Sequence, residues 1–100
     1  MNFCDQVTIG TDAQLLSDVL KTAGHSGVSE LRNVRLWTLE PNNVFIKKKL
    51  SAGEAAPVTD GSAGVPVPAD GYLTIPLLQL NAVWVYALSE DSPLYIIALD

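Results

Sequence analysis

Apolar side chains recur along this chain with two periods, and only one segment shows the helical one. From Gln6 to Ile9 apolar and polar residues alternate until Gly10, which predicts a short strand or extended arm. Leu15, Leu16, Val19 and Leu20 then fall on one face at i, i+1, i+4 and i+5, predicting a helix over Asp12–Thr22. Thr11 is placed to cap it, Asp12 suits the positive end of its dipole, Lys21 suits its last turn, and Gly24 suits a left-handed stop.

Beyond the His25–Gly27 loop the period is that of strands. Leu31–Leu39 sets Val34 and Leu36 on the opposite parity from Arg35 and Trp37. Glu40, Pro41, Asn42 and Asn43 have turn chemistry, and Val44–Leu50 returns as the hairpin partner, with Phe45, Lys47 and Lys49 on one face. Ser51–Gly64, rich in Ala, Gly, Ser, Pro and acidic residues, has no period and reads as a long loop, a kind that is usually functional, mobile or ordered by a partner. Asp60 and Gly61 can seat a tight turn within it. Val65–Pro68 predicts an extended edge, Asp70–Gly71 a turn, and Tyr72–Ile75 a short strand closed by Pro76. Val83–Leu88 and Leu94–Leu99 are apolar on both faces, so each is expected to be central or covered at an interface.

The order of these elements predicts one domain over residues 1–100. It comprises an arm (1–10), a helix (12–22) and a β-sandwich or flattened barrel (31–99) of about six antiparallel strands with the loop at 51–64.

Composition adds a reason to look outward. Hydrophobic residues are 48% of the chain and charged residues 17%, which leaves apolar surface that a chain of this size cannot bury by itself. Oligomerisation or cover by a partner is therefore expected. Eleven carboxylates against six bases give a net charge of −5 and argue against nucleic acid as a ligand. Lys47, Lys48 and Lys49 are consecutive, so in a strand they alternate faces and cannot line one groove; they read as lysines guarding a solvated or edge strand. No apolar stretch reaches the ~20 residues that span a bilayer, so no membrane partner is expected.

Catalytic chemistry finds little to stand on. His25 is the only histidine and Cys4 the only cysteine, too few for a zinc site or a disulfide. His25 is assigned a structural or solvated role, and Cys4 burial as a small hydrophobe. The adjacent acids Glu90 and Asp91 read as a solvated turn, and Asp60–Ser62 is a fragment of a calcium loop without its distal glutamate. No enzyme activity, catalytic residue, metal site or cofactor is assigned. The candidate surface is a protein interface of Phe45, Lys47, Lys49, Trp84, Tyr86 and Tyr95; Trp84 and Tyr86 are chosen because Val83 and Val85 on the other parity already supply the core.

From Leu31 onward the order of strands and turns resembles a family of small tailed-phage virion proteins. The resemblance lies in Leu31–Trp37, the turn Pro41–Asn43, Val44–Lys47, the turn Pro68–Gly71, Tyr72–Ile75, Leu80–Leu88 and Leu94–Ala98. It implies a capsid decoration or cement protein, or a head-to-tail or tail component, synthesised in the host cytoplasm and ending in the virion. Its implied partners are the major capsid protein or other virion subunits and further copies of itself, as a trimer. A carbohydrate- or receptor-binding module of a tail fibre, using an exposed Trp84 or Trp37, is the rival reading.

Overall fold

The computed structural model describes residues 3–25 and 30–99. Among the described residues, eight strands form two four-stranded sheets in which every pairing is antiparallel. In chain order they are β1 (Phe3–Ile9), β2 (Gln14–Leu15), β3 (Glu30–Trp37), β4 (Val44–Lys48), β5 (Val65–Pro66), β6 (Leu73–Gln79), β7 (Val83–Ala87) and β8 (Ser92–Leu99), with one helix, α1 (Leu16–Thr22). The first sheet runs β1-β8-β3-β6 and the second β2-β7-β4-β5. A mainly β fold with one short helix is what the periodicity predicts. Six of the strands, β3 to β8, fall where about six were expected, with β5 at the predicted extended edge; the other two are β1, which makes a paired strand of the N-terminal arm, and the two-residue β2.

Alternation along each strand decides which side chains fill the space between the sheets. Val7 and Ile9 of β1, Val34 and Leu36 of β3, and Leu94, Ile96 and Ala98 of β8 meet Val44 and Ile46 of β4 and Val83, Val85 and Ala87 of β7 in one buried cluster. Leu16, Val19 and Leu20 of α1 join the same cluster, so the helix closes the core with the face its spacing predicts.

Five sequence expectations need correction. Val44–Lys48 is not the hairpin partner of Glu30–Trp37: the chain crosses between the sheets at 38–43, so β3 pairs with β6 and β8 while β4 pairs with β5 and β7. The helix begins at Leu16, not Asp12, because Gln14 and Leu15 pair with Val85 and Trp84, and Leu15 is held extended at φ −73°, ψ 140°. Pro76 does not close β6, which continues to Gln79; β6 is an outer strand, where a residue without an amide hydrogen breaks no rung on the free side. The lysine-bearing strand β4 is internal, between β7 and β5, although Lys47 and Lys48 run past the two-residue β5. Cys4 is exposed, since it has the outward parity of β1.

Three of the four outer strands are poor templates for strand addition, and the fourth, β1, has one edge amide capped. β2 and β5 are two residues long, β5 contains Pro66, and β6 contains Pro76. On β1, Thr8 lies opposite Pro93, which has no N–H to offer; the ladder bonds therefore run through the alternate residues, and the Gln6 amide faces the free edge. That amide donates to Asp5 Oδ1 at 2.7 Å, while Asp5 Oδ2 bonds His25 Nε2 at 2.6 Å and the His25 ring stacks on Phe3 with centroids 4.1 Å apart. His25 thus has a structural role, and its hydrogen bond to Asp5 holds that carboxyl below its ordinary pKa.

Candidate functional site: two sheet faces with opposite fates

The outer face of the second sheet holds most of the candidate interface residues, because Phe45, Lys47, Trp84 and Tyr86 share one parity. The register sets Phe45 opposite Tyr86 and Lys47 opposite Trp84. The Phe45 and Tyr86 rings stack, with centroids 5.4 Å apart and planes 9° from parallel. Instead of opening to a partner, these side chains lie beneath the chain's own loop. Phe45, Trp84 and Tyr86 are 7%, 9% and 0% exposed, respectively.

The loop is tied down at several points. Trp84 Nε1 donates to Glu54 Oε2 at 2.9 Å, and Lys47 Nζ lies 3.6 Å from Glu54 Oε1. Lys49 Nζ sits 5.4 Å from the centre of the Trp84 ring, within cation–π range. The Tyr86 hydroxyl donates to the Ala63 carbonyl at 2.7 Å. Asp60 Oδ1 accepts from both the amide and the hydroxyl of Ser62, making the tight turn that Asp60 and Gly61 predict, with Gly61 at φ +87°. The segment 51–64 is therefore a strap ordered by its own sheet. It supplies the cover that the two-faced strand Val83–Leu88 requires.

Glu54 gives the strap a pH dependence. Its hydrogen bond from Trp84 holds the carboxyl below the ordinary value of 4.5. A depressed folded pKa contributes stability that is fully present above the unfolded value and is lost as pH falls through the folded one. Tryptophan fluorescence is expected to stay constant from neutral pH down to about the ordinary glutamate value and to change only below it. Glu54→Gln should remove that acid transition. An unchanged acid transition in Glu54→Gln would show that another group controls it.

The outer face of the first sheet has no such cover among the described residues. The register forms two cross-strand rows: Cys4, Ile97, Arg35 and Thr74 in one, and Gln6, Tyr95 and Trp37 in the next. Trp37 and Tyr95 stack at 5.6 Å, and the Arg35 guanidinium lies 4.8 Å from the centre of the Tyr72 ring. Trp37, Tyr95 and Ile97 are half-buried, whereas Tyr72 is 57% exposed. Leu39, which keeps the outward parity just past β3, is 66% exposed. Of the six sequence-derived interface residues, only Tyr95 lies here. Trp37, Arg35 and Tyr72 were not among them, although the parity of Trp37 against Val34 and Leu36 was the available signal.

Chemistry remains sparse. Among the described residues no three His, Cys, Asp or Glu side chains come together as metal ligands, and no helix is long and apolar enough to cross a membrane. Glu90 and Asp91 are exposed.

No protein-family model, curated protein or solved structure matches this chain. The functional reading therefore rests on the two faces themselves. One is closed from within, and the other presents Tyr, Trp and Arg, the residue types that concentrate binding energy at protein interfaces.

Proposed function

We propose that this chain is a non-catalytic structural subunit of a tailed-phage virion that docks on neighbouring protein subunits, as a capsid decoration protein does. The observation that carries the docking is the outer face of β1-β8-β3-β6. It has no cover among the described residues, it bears Trp37, Tyr72, Tyr95 and Arg35, and none of its described outward positions is a carboxylate. The strand order and turns that resemble small virion proteins support the setting. A tail or head-to-tail connector would use the same face.

Repeated around a symmetric shell, individually weak contacts of this size add up through avidity. Purified protein is expected to co-sediment with empty expanded capsids and to raise their melting temperature. Failure to bind capsids or tail parts would remove the virion reading.

The Trp37–Tyr95 pair also supports the rival reading of a carbohydrate-binding face, since sugar rings stack on exposed aromatic surfaces. Trp84 no longer serves that reading, because the strap covers it. Glycan-dependent quenching of Trp37 fluorescence in a Trp84→Phe background is the distinguishing measurement.

A further inference from the structure

We infer that the outer face of β1-β8-β3-β6 is a self-association surface, and that its occupant is the same face of a second copy, packed sheet to sheet about a two-fold axis. This rests on the docking reading above: in solution the face is closed by a second copy, which a capsid subunit must displace, so the two compete for it. Three observations lead to it.

The first is charge. The chain carries eleven acidic residues and a net charge of −5. The described outward positions of the face are Cys4, Gln6 and Thr8 on β1, Pro93, Tyr95 and Ile97 on β8, Asn33, Arg35 and Trp37 on β3, and Tyr72 and Thr74 at β6. None is acidic, and the one charge, Arg35, rests on the Tyr72 ring. Two copies meeting through this face bring no described carboxylates of its strands together. A basic partner would instead be steered to the acid-bearing remainder of the surface.

The second is area. Four strands ~4.8 Å apart, each with about seven residues rising ~3.3 Å, span roughly 450 Å² of flat surface. That exceeds the ~400 Å² per side of incidental contacts, and the exposed side chains of Tyr72 and Leu39 at the margin add to it.

The third is the lack of a competing route. Three outer strands are too short or interrupted by proline for strand-to-strand growth, the Gln6 amide at the edge of β1 is already taken by Asp5, and the second sheet's outer face is occupied by the strap. A self-complementary face closes as a two-fold dimer, which differs from the trimer expected from sequence.

The test is sedimentation equilibrium of the full chain over micromolar concentrations, with Thr74→Glu and Tyr72→Glu as face variants and circular dichroism to verify their folds. The expected wild-type mass is twice that of the chain. Each glutamate should weaken the dimer by about 30-fold or more, as loss of an interface hot spot does. If a glutamate variant unfolds, Tyr72→Ala replaces it and should weaken the dimer in the same direction. Added salt should leave the dimer intact, because screening relieves repulsion between the acidic remainders.

A monomeric wild type, a trimer, or a dimer unaffected by the variants overturns the inference. A monomer that binds empty capsids, and loses that binding in Thr74→Glu, would keep the docking face while giving it a different occupant. A monomer that binds neither itself nor capsids would overturn both readings.

Discussion

Replacing Gly64 with alanine is expected to lower the unfolding free energy by about 2–4 kcal/mol, combining left-handed strain with overpacking. Gly64 has φ +83°, and a Cβ there would lie far inside van der Waals contact distance of the Ile46 carbonyl oxygen and 2.9 Å from its carbonyl carbon. The obstacle is the backbone of β4, which cannot swing aside as a flexible side chain can. Gly64 is also where the strap rejoins the second sheet, directly before Val65 of β5. A cost of ~3 kcal/mol in a domain of this size corresponds to a fall in Tm of about 12–24 °C.

Two other glycines separate the contributions. Gly24 has φ +100° but open space around it, so Gly24→Ala should show strain alone, about 1 kcal/mol. Gly53 has neither positive φ nor a near neighbour, and Gly53→Ala should be close to neutral or slightly stabilising. Urea unfolding followed by tryptophan fluorescence measures all three. A Gly64→Ala protein within about 0.5 kcal/mol of wild type, the usual range of surface substitutions, would mean that the strap does not pass this close to β4.

Tyr86→Ala should cost still more, about 3–5 kcal/mol, the usual price of truncating a buried aromatic side chain. Tyr86 is fully buried, stacks on Phe45 and ties down Ala63, so its removal opens a void and releases the strap together. Because a domain's whole stability is ordinarily about 5–15 kcal/mol, the variant should sit near its unfolding threshold at physiological temperature. Tyr86→Phe keeps the ring and loses only the bond to the Ala63 carbonyl, about 1 kcal/mol.

The phenylalanine variant has a second signature. Burial pushes the Tyr86 phenol above its ordinary value of 10.0. The unfolded chain then releases its proton first, so this contribution is fully present below the unfolded pKa and declines as pH rises from it towards the folded one. Tyr86→Phe should lose that alkaline decline. If Tyr86→Ala costs no more than Tyr86→Phe, ring burial beneath the strap is not what holds this face closed.

Both predictions concern a cover that joins distant parts of the chain, and that is where sequence reading ran out. Alternation is a local property: the parity of Val34 and Leu36 against Arg35 and Trp37 is fixed by backbone geometry, and so is the helical face of Leu16, Val19 and Leu20. Hence the succession of strands along the chain, the buried face of the helix and most of the core were legible from residues alone, whereas pairing was not: β3 and β4, expected as a hairpin, lie in different sheets. Parity also showed that β7 and β8 have two apolar faces. It could not say which second face the chain would cover for itself.

Tertiary structure decided that. Glu54 lies thirty positions from Trp84 and Ala63 twenty-three from Tyr86, and no periodicity in 51–64 announces either contact. A two-faced apolar strand looks the same in sequence whether its cover is a loop or another molecule, because burial depends on what reaches the surface in space. Five of the six residues chosen from sequence lie around the strap's anchorage, and the open face gathers Tyr95 with Trp37, Arg35 and Tyr72 through pairing between strands far apart in the chain. The sequence by itself determined an acidic, mainly β domain with strands apolar on both faces; folding alone determined which of the two sheet faces the chain covers for itself, because cover depends on what lies nearby in space.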